Sequence, residues 1–242
     1  QVQEQAENQG LFFPLDLGAR GTATIGGNVS TNAGGNRVIR YGMMRDQILG
    51  MEIVLADGTI ISSMNKVIKN NTGYDLKQLF VGAEGTLGIV TRLVLRLRPM
   101  PVSQDMALIG VNDFSQVTAF LNYIDSALGG TLSAFEVLWK DYYKLVTSPP
   151  AESAPPISHD YNYYILLEAM GGDPQSDADR FVEVLSKSLE DELIADAAVA
   201  QSQAERDAMW AIRDDVGQTG QNWPIFTYDI SVSLNKMESY VK

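Results

Sequence analysis

A glycine-rich stretch at residues 22–35 is the part of the sequence best suited to hold a ligand with its backbone. It contains two glycine pairs, Gly26-Gly27 and Gly34-Gly35, among small side chains and without a lysine. Glycine tolerates positive φ and a close approach of the main chain, so successive N–H groups can converge on an anion or lie against a flat ring. The pattern therefore indicates a site for a large, phosphorylated ligand.

The charges around this stretch support an anionic ligand. Residues 18–50 carry four arginines and one acid, in a chain whose net charge is −12; these residues are Arg20, Arg37, Arg40, Arg45 and Asp46. A positive segment in an acidic protein attracts anions. The alternative is that these are ordinary loop glycines and solvated arginines. Neither glycine pair leads into the amphipathic helix of a Rossmann fingerprint, which disfavours nicotinamide binding. No Gly-Lys-Ser/Thr follows either pair, which disfavours phosphoryl transfer.

The composition limits which partners and which chemistry remain possible for this protein. With 242 residues, 45% of them hydrophobic, the chain can form one large core or two modest ones. The charge of −12 argues against nucleic acid and anionic membranes as partners, and the absence of cysteine excludes disulfides and thiolate chemistry. The single histidine, His159, lies among turn-forming residues, and we expect it to be a solvent-exposed bystander. No signal peptide or long apolar run is visible, which predicts a cytoplasmic location.

Two prolines in Arg98-Pro99-Met100-Pro101 enforce an extended linker, which divides the chain into a domain at residues 1–100 and another at 101–242. The first is rich in glycine and short β-type runs, including a hairpin around Asp57-Gly58 and a long strand at 88–97. The second alternates strands with capped helices. Its predicted strands lie at 106–110, 132–138, 161–170, 194–201 and 225–233, and its helices follow Asp113, Lys140, Asp173 and Ser202. This order predicts an α+β chain whose second domain is ferredoxin-like, with helices on one face of the sheet.

Both ends of the sequence interrupt a predicted helix. Residues 1–8 resemble the last turns of a helix closed by Gly10, and Asn235 with Glu238 forms a capping box whose helix stops at Lys242. We therefore expect the chain to be a fragment of a longer enzyme, with the second domain truncated at its C-terminal end.

Three ordered motifs identify a family resemblance over residues 9–98. They are Ile25-Gly26-Gly27-Asn28-x-x-Thr31-Asn32-Ala33-Gly34-Gly35, then Asn71-Thr72-Gly73-Tyr74-Asp75-Leu76, then Gly82-x-Glu84-Gly85-Thr86-Leu87-Gly88-Ile89. Together they resemble the PCMH-type FAD-binding domain of the vanillyl-alcohol oxidase superfamily. Within it they are similar to the D-2-hydroxyacid dehydrogenase branch, which acts on D-lactate, glycolate or D-2-hydroxyglutarate.

The resemblance implies that residues 1–100 are the second half of this FAD-binding domain, and that its pyrophosphate loop precedes Gln1. Glu84 would hold the second glycine loop in place. The residues implied to bind FAD are Pro14, Asp16, Gly21, Thr24, Ile25, Gly26, Gly27, Asn28, Thr31, Asn32, Gly34, Gly35, Glu84, Gly85, Gly88 and Ile89.

The resemblance also implies that residues 101–242 form the cap domain that binds the substrate. In Trp210-Ala211-Ile212-Arg213, Arg213 would bind the substrate carboxylate through a bidentate guanidinium. The alternative is an exposed Arg213 paired with Asp207, Asp214 or Asp215. The family's catalytic histidines, which often bind a divalent metal such as zinc or manganese, would lie beyond Lys242. No general base and no metal ligand is therefore identified in this chain.

The implied reaction oxidises a small D-2-hydroxy acid to the 2-oxo acid by hydride transfer to flavin N5. Members that act on D-2-hydroxyglutarate tend to have a threonine four residues after the arginine and a lysine in the next strand. This chain has Gly217 and Thr227 instead, which favours D-lactate or glycolate. A quinone, a cytochrome or an electron-transfer flavoprotein would accept the electrons, and a homodimer is compatible with the family. The alternatives are a flavin-less binding or scaffold module, one part of a split heteromer, and another oxidase of the superfamily.

Overall fold

The protein folds as two compact units, Gln1–Pro101 and Val102–Lys242. The computed structural model describes residues 1–222 and 224–241. Each unit combines helices with antiparallel sheet, so the α+β prediction is confirmed.

The first unit is built around a three-stranded antiparallel sheet in the order β3-β2-β4. A two-stranded ribbon pairs β1 with β5, and single 3-10 turns cover Met44–Gln47 and Leu76–Leu79. Its elements are α1 (Val2–Glu7), β1 (Leu11–Phe12), α2 (Ile25–Ser30), α3 (Val38–Tyr41), β2 (Ile48–Val54), β3 (Ile60–Ser63), β4 (Ile89–Leu95) and β5 (Arg98–Pro99).

The central strand β2 organises the core of the first unit. Met51 and Ile53 are buried in one cluster with Val29 of α2, while the Asp57-Gly58 turn joins β2 to β3. Gly58 has a φ of 85°, a conformation that glycine adopts without the steric cost of a β-carbon. The predicted hairpin is therefore confirmed.

The second unit is a four-stranded antiparallel sheet in the order β7-β8-β6-β9. Two β-α-β halves, β6-α4-β7 and β8-α6-β9, interleave to give this order, which is the predicted ferredoxin-like arrangement. Its elements are β6 (Ser103–Val111), α4 (Phe114–Ala127), β7 (Leu132–Trp139), α5 (Lys140–Val146), β8 (Tyr163–Gly171), α6 (Pro174–Glu190), β9 (Asp196–Val199), α7 (Gln203–Asp214), a 3-10 turn at Val216–Asn222, and α8 (Leu234–Val241).

Helices cover both faces of this sheet, so the prediction of helices on one face is wrong. Alternate residues of β6 and β8 point to opposite sides and are buried on each. One side packs against α4 and α6 through Phe120 and Phe181. The other side packs against α5 and α7 through Tyr143, Met209 and Ile212.

Side-chain caps begin helices α4, α6 and α7 of the second unit where the sequence predicts them. Gln116 accepts hydrogen bonds from the N–H groups of Asn112 and Asp113 at the start of α4. Asp173 accepts from the N–H of Ser176, and Ser202 accepts from the N–H of Glu205 at 3.2 Å. These caps satisfy N–H groups that have no partner within the helix.

Three local predictions fail at the chain ends. Residues 225–233 form no strand, although they alternate in hydrophobicity. Helix α8 begins at Leu234, so Asn235 lies inside it and does not cap it. Helix α1 ends with Asn8 as its C-cap, and Gly10, with a φ of 68°, lies in the turn that follows.

Among the described residues, no helix combines the length and the apolar character that crossing a bilayer requires.

A half-buried carboxylate in β6, that of Asp105, makes a testable contribution to stability. One carboxylate oxygen of Asp105 is buried without a hydrogen-bond partner. Burial, and then the negative charge of Asp177, raise the pKa of Asp105 above its ordinary value. A raised pKa means that folding disfavours the charged form of Asp105. The contribution of Asp105 to stability is therefore full at low pH and is lost as the pH rises through its folded-state pKa.

We therefore expect Asp105→Asn to raise the midpoint of thermal unfolding at pH 7. The gain should disappear below the ordinary aspartate pKa of about 3.9, where both forms are neutral. Calorimetry at pH 7 and at acid pH checks this, with Asp125→Asn on the exposed face of α4 as the matched control. An equal effect of Asp105→Asn at both pH values would contradict the assignment.

Candidate functional site

The first glycine pair lies inside helix α2, where the sequence suggested an irregular cradle. Thr24 caps this helix by accepting a hydrogen bond from the N–H of Gly27 at 3.1 Å. Neither glycine pair has positive φ; in this segment that conformation belongs to Asn32, at 47°. The expectation that positive φ at the glycine pairs shapes the site is therefore wrong.

Close packing explains part of this glycine content. A β-carbon on Gly35 would overlap the backbone carbonyl of Asp16, which also accepts a hydrogen bond from the N–H of Asn36 at 3.1 Å. A β-carbon on Gly34 would lie 3.3 Å from a methyl group of Val38. Gly35 allows two main-chain segments to approach each other, and Gly34 leaves room for the side chain of Val38.

A cavity of about 480 Å³ opens beside the start of α2. Four of the predicted cofactor residues line it, namely Gly21, Thr24, Ile25 and Asn28. The other lining residues are Gln1, Val2, Gln3, Phe13, Leu15, Leu17, Arg20, Thr22 and Ala23. No acidic side chain is among these lining residues, which combine apolar side chains with Arg20, so the cavity suits a ligand with an apolar part and an anionic part.

The arginines of the positive segment are engaged within the first unit. Asp16 forms ion pairs with Arg20 at 3.2 Å and with Arg37 at 3.1 Å. The guanidinium of Arg40 lies over the ring of Tyr41, 5.1 Å from its centroid. These contacts reduce the positive potential that the sequence suggests, and of these arginines Arg20, whose side chain is 53% exposed, is on the wall of the cavity.

Arg45 joins the two glycine-rich motifs. Its guanidinium donates to the carbonyl oxygens of Gln78 and Val81, both at 2.9 Å, and its backbone N–H donates to the side chain of Asn32. All three acceptors are neutral protein groups, so Arg45 stabilises the fold. No sequence pattern indicated this role.

The second glycine motif follows directly from this anchor. The N–H of Gly82 donates to the carbonyl of Val29, and the N–H of Glu84 donates to that of Ser30 at 2.8 Å. Gly85 has a φ of 76°. The motif therefore lies along the end of α2, and the contact that the structure shows for Glu84 there is made by its backbone.

The remaining predicted cofactor residues lie around these elements. A β-carbon on Gly88 would meet a methyl group of Ile53 at 2.7 Å, and one on Gly26 would lie 3.8 Å from the carbonyl of Val90. Pro14 is buried in the segment after β1, Ile89 is exposed at the start of β4, and Thr31 donates to the carbonyl of Gly27.

In the second unit, Arg213 lies in the last turn of α7 with a side chain that is 31% exposed. Its Nε donates to Glu136 at 2.8 Å, and its Nη1 donates to Asp214 at 3.1 Å. Burial lowers the pKa of Arg213, but these two carboxylates raise it above its ordinary value overall. The pairing with Asp214 was one of the alternatives expected from sequence, whereas Glu136, a single acid in a mostly apolar strand, was missed.

Two further contacts fix the position of this arginine. The hydroxyl of Tyr142 on α5 donates to the backbone carbonyl of Arg213 at 3.0 Å. Ile212 is buried in the core between α7 and the sheet, and Trp210 is partly buried against the same core. The helix therefore holds the guanidinium on a rigid element.

His159 is more ordered than expected. It is partly buried, its Nε2 lies 2.8 Å from the hydroxyl of Thr147, and its ring contacts Tyr143 edge-on. The expectation of a solvent-exposed bystander is wrong. Across the described residues, no group of three or more histidine and acidic side chains is arranged to hold a metal ion.

Comparison with known proteins places the chain in a family. Residues 1–63 match the FAD binding domain, and residues 100–242 match the C-terminal domain of FAD linked oxidases. The chain belongs to the FAD-linked oxidase family, because the second match covers more than half of it. The resemblance identified from the sequence motifs is thereby confirmed.

Individual relatives match nearly all of this chain. It is 37% identical to D-2-hydroxyglutarate dehydrogenase, mitochondrial, of Bos taurus, over 99% of this chain and 44% of the relative. The Arabidopsis thaliana protein of the same name is 39% identical, over 97% and 42%. D-2-hydroxyglutarate dehydrogenase of Stutzerimonas stutzeri is 34% identical, over 100% and 51%. The chain thus spans about half the length of these relatives or less.

Solved structures support the fold. An alkyldihydroxyacetonephosphate synthase superposes with a TM-score of 0.68 at 16% identity, over 91% of this chain and 42% of that one.

The expectation of a cytoplasmic location is wrong. The relatives from Bos taurus and Arabidopsis thaliana, like those from rice and rat, are named as mitochondrial proteins.

Proposed function

We propose that the full-length protein containing this chain is an FAD-dependent dehydrogenase of D-2-hydroxy acids, with D-2-hydroxyglutarate as its substrate. The observation that carries this proposal is the match of both units to proteins named D-2-hydroxyglutarate dehydrogenase, at 34–39% identity. Residues 1–100 would contribute to the cofactor site, and residues 101–242 would bind the substrate.

The cavity of the first unit is compatible with part of FAD. Its volume of about 480 Å³ lies within the range of small-molecule sites, roughly 300–1,000 Å³. Gly21, Thr24, Ile25 and Asn28 would hold the cofactor from the cavity wall. The other proposed contacts are Pro14, Asp16, Gly26, Gly27, Thr31, Asn32, Gly34, Gly35, Glu84, Gly85, Gly88 and Ile89. When bound, FAD supplies the hydride acceptor of the reaction.

Arg213 is the proposed anchor for the substrate carboxylate. Its Nε and one N–H of Nη1 are engaged, which leaves Nη2 and the second N–H of Nη1 as the donors for a ligand. Two adjacent guanidinium nitrogens match the two oxygens of a carboxylate and orient it. Anchoring one end of the substrate fixes the direction of the single hydrogen on its hydroxyl-bearing carbon, and therefore which enantiomer can transfer that hydrogen.

The relatives favour D-2-hydroxyglutarate over the smaller acids that residue counting suggested. Gly217 lies in the 3-10 turn at Val216–Asn222, and Thr227 lies in a segment without a strand. A residue count from Arg213 therefore does not determine which side chain would meet the distal carboxylate. D-Lactate and glycolate become comparison substrates.

Three further parts of the proposal concern the whole protein. A quinone, a cytochrome or an electron-transfer flavoprotein would reoxidise the flavin. A divalent metal, zinc or manganese, would be held by residues outside this chain, and two copies would associate as a homodimer. The general base also belongs to the part of the protein outside this chain.

The proposal predicts stereospecific reduction of the flavin. Under anaerobic conditions, D-2-hydroxyglutarate should bleach the visible flavin absorbance of the purified full-length protein, and L-2-hydroxyglutarate at the same concentration should not. D-Lactate and glycolate should bleach it more slowly. A colourless protein that FAD does not reconstitute would favour the flavin-less scaffold, and preferential bleaching by an alcohol or aldonolactone would favour another oxidase of the superfamily.

A further inference from the structure

Strand β7 has a β-bulge near its start. Leu132 is paired with Ala169 of β8, and the next pair joins Ala134 to Glu168, so Ser133 is the extra residue. Side chains alternate between the two faces of a strand, and an extra residue therefore moves every later side chain to the face opposite the one that strict alternation gives. The bulge thus decides which face of the sheet each later residue of β7 occupies.

The bulge places Glu136 on the face of the sheet that α5 and α7 cover. Glu136 lies four residues after Leu132, and strict alternation would put both side chains on one face. Leu132 packs into the core with α4 and α6, whereas the carboxylate of Glu136 accepts a hydrogen bond from Nε of Arg213 on α7 at 2.8 Å. Without the extra residue, Glu136 would point into the apolar core on the other side, away from the arginine.

A fully buried acid contacts the bulge. Glu168 lies in β8, between β7 and β6, and its Oε1 accepts a hydrogen bond from the hydroxyl of Ser133 at 2.6 Å. Its Oε2 accepts from the side-chain amide of Gln104 in β6 at 2.7 Å. Burying a carboxyl group is unfavourable unless hydrogen bonds compensate for its lost hydration. These contacts contribute to that compensation, and they tie the bulged residue of β7 to the two strands beside it.

The direction of the guanidinium matters for the proposed anchor. Nε carries a single N–H, so its bond to Glu136 sets the plane of the Arg213 guanidinium and the direction of its Nη donors. Two guanidinium nitrogens match the two oxygens of a carboxylate only in a narrow range of orientations. A change in the position of Glu136 should therefore weaken the binding of a carboxylate to the open Nη donors.

We propose that Glu168 and Ser133 are positioning residues of the substrate site. They hold the bulge of β7, the bulge directs Glu136 toward α7, and Glu136 orients the guanidinium of Arg213 for the substrate carboxylate. The inference rests on the proposed function of Arg213 as the substrate anchor. Glu168 and Ser133 affect binding through the arginine and do not need to touch the substrate.

The test measures binding of 2-oxoglutarate, the product of the proposed reaction, to the FAD-loaded full-length protein by calorimetric titration. Ser133→Ala should raise its Kd by about threefold to tenfold, because the bulge loses its hydrogen bond to the carboxylate. Glu168→Ala should raise the Kd by about tenfold or more. Glu168→Gln should raise it by about threefold or less, because an amide oxygen can still accept from the hydroxyl of Ser133. Flavin content should stay at the wild-type value in all three variants.

Ser188→Ala is the matched control for Ser133→Ala. Ser188 is equally buried, and its hydroxyl donates to the carbonyl oxygen of Val184 at 2.8 Å within α6, the helix that covers the other face of the sheet. Its loss removes a buried hydrogen bond of the same kind, so Ser188→Ala should lower the unfolding temperature about as much and leave the Kd unchanged. A comparable increase of Kd in both serine variants would overturn the inference, because loss of stability alone would then explain the weaker binding.

Combination with Arg213→Ala separates positioning from a general structural role. If Glu168 acts through the arginine, adding Glu168→Ala to Arg213→Ala should change kcat/KM for D-2-hydroxyglutarate by less than about twofold. Ser133→Ala takes the place of Glu168→Ala if that variant does not fold. An equal loss of kcat/KM with and without the arginine would show that the buried acid supports only the fold.

Failure of the inference and failure of the proposed function are distinguishable. If Arg213→Ala abolishes 2-oxoglutarate binding while Ser133→Ala and Glu168→Ala bind it like the wild type, the arginine is the anchor and the positioning role is wrong. If Arg213→Ala binds and turns over like the wild type, the anchor itself is wrong, and the positioning role is wrong with it.

Discussion

Gly21→Phe is expected to abolish flavin retention in the full-length protein while leaving its unfolding temperature close to that of the apoprotein of the wild type. Gly21 lines the cavity at the start of α2, and a β-carbon added to it meets no atom within 4 Å. Its φ is outside the positive region, so the backbone accepts a side chain without strain. The phenyl ring would then fill part of the cavity proposed for the cofactor without displacing protein atoms.

The neighbouring Gly18 supplies a matched control. A β-carbon there also meets nothing within 4 Å, but Gly18 is not on the cavity wall. Gly18→Phe should therefore keep the wild-type ratio of flavin absorbance to protein absorbance. Circular dichroism of both variants would show that the fold is intact.

Two results would contradict the assigned cavity. The first is a normal flavin content in Gly21→Phe. The second is equal flavin loss in both variants with wild-type circular dichroism, which would mean that the exposed loop, and not the cavity, controls retention.

The parts of the fold that could be predicted from sequence are those with local causes. The capping side chains of α4, α6 and α7 are three residues from the N–H groups they bind, and the Asp57-Gly58 turn specifies its hairpin by itself. The ferredoxin-like arrangement of the second unit could also be predicted, because alternating β and α elements admit few arrangements.

The contacts that could not be predicted from the sequence join residues that are far apart in the chain. Glu136 lies 77 positions before Arg213, and Gln78 lies 33 positions after Arg45, so no spacing pattern connects either pair. Helix α2 was hidden because two adjacent glycines disfavour a helix by about 1 kcal/mol each. Packing of Val29 into the core and the Thr24 cap offset that cost.

Hydrophobic alternation alone misled at residues 225–233. In the described part of this segment, Phe226 and Tyr228 are highly exposed and no strand pairs with it. A period of two is a necessary feature of a half-buried strand, but a strand also requires a neighbour for its N–H and C=O groups.

Arg213→Ala is expected to lower kcat/KM for D-2-hydroxyglutarate by about 10²-fold or more, equivalent to roughly 3 kcal/mol of charge-assisted hydrogen bonding. Arg213→Lys should fall between Ala and the wild type, because an ammonium keeps the charge but loses the planar pair of donors. Flavin content should not change, since Arg213 lies in the second unit and the cavity is lined by the first.

The ion pairs of Arg213 make a stability control essential for this experiment. Removing the guanidinium leaves Glu136 and Asp214 without their shared cation, and both are about two-thirds buried. The double variant Arg213→Ala, Glu136→Ala removes most of that repulsion and should recover stability without recovering kcat/KM. If the double variant instead recovers kcat/KM, or if Arg213→Ala retains it for every D-2-hydroxy acid oxidised, the residue is a structural ion-pair partner. The substrate carboxylate must then be bound elsewhere, because a charge that anchors the substrate cannot be removed without affecting kcat/KM.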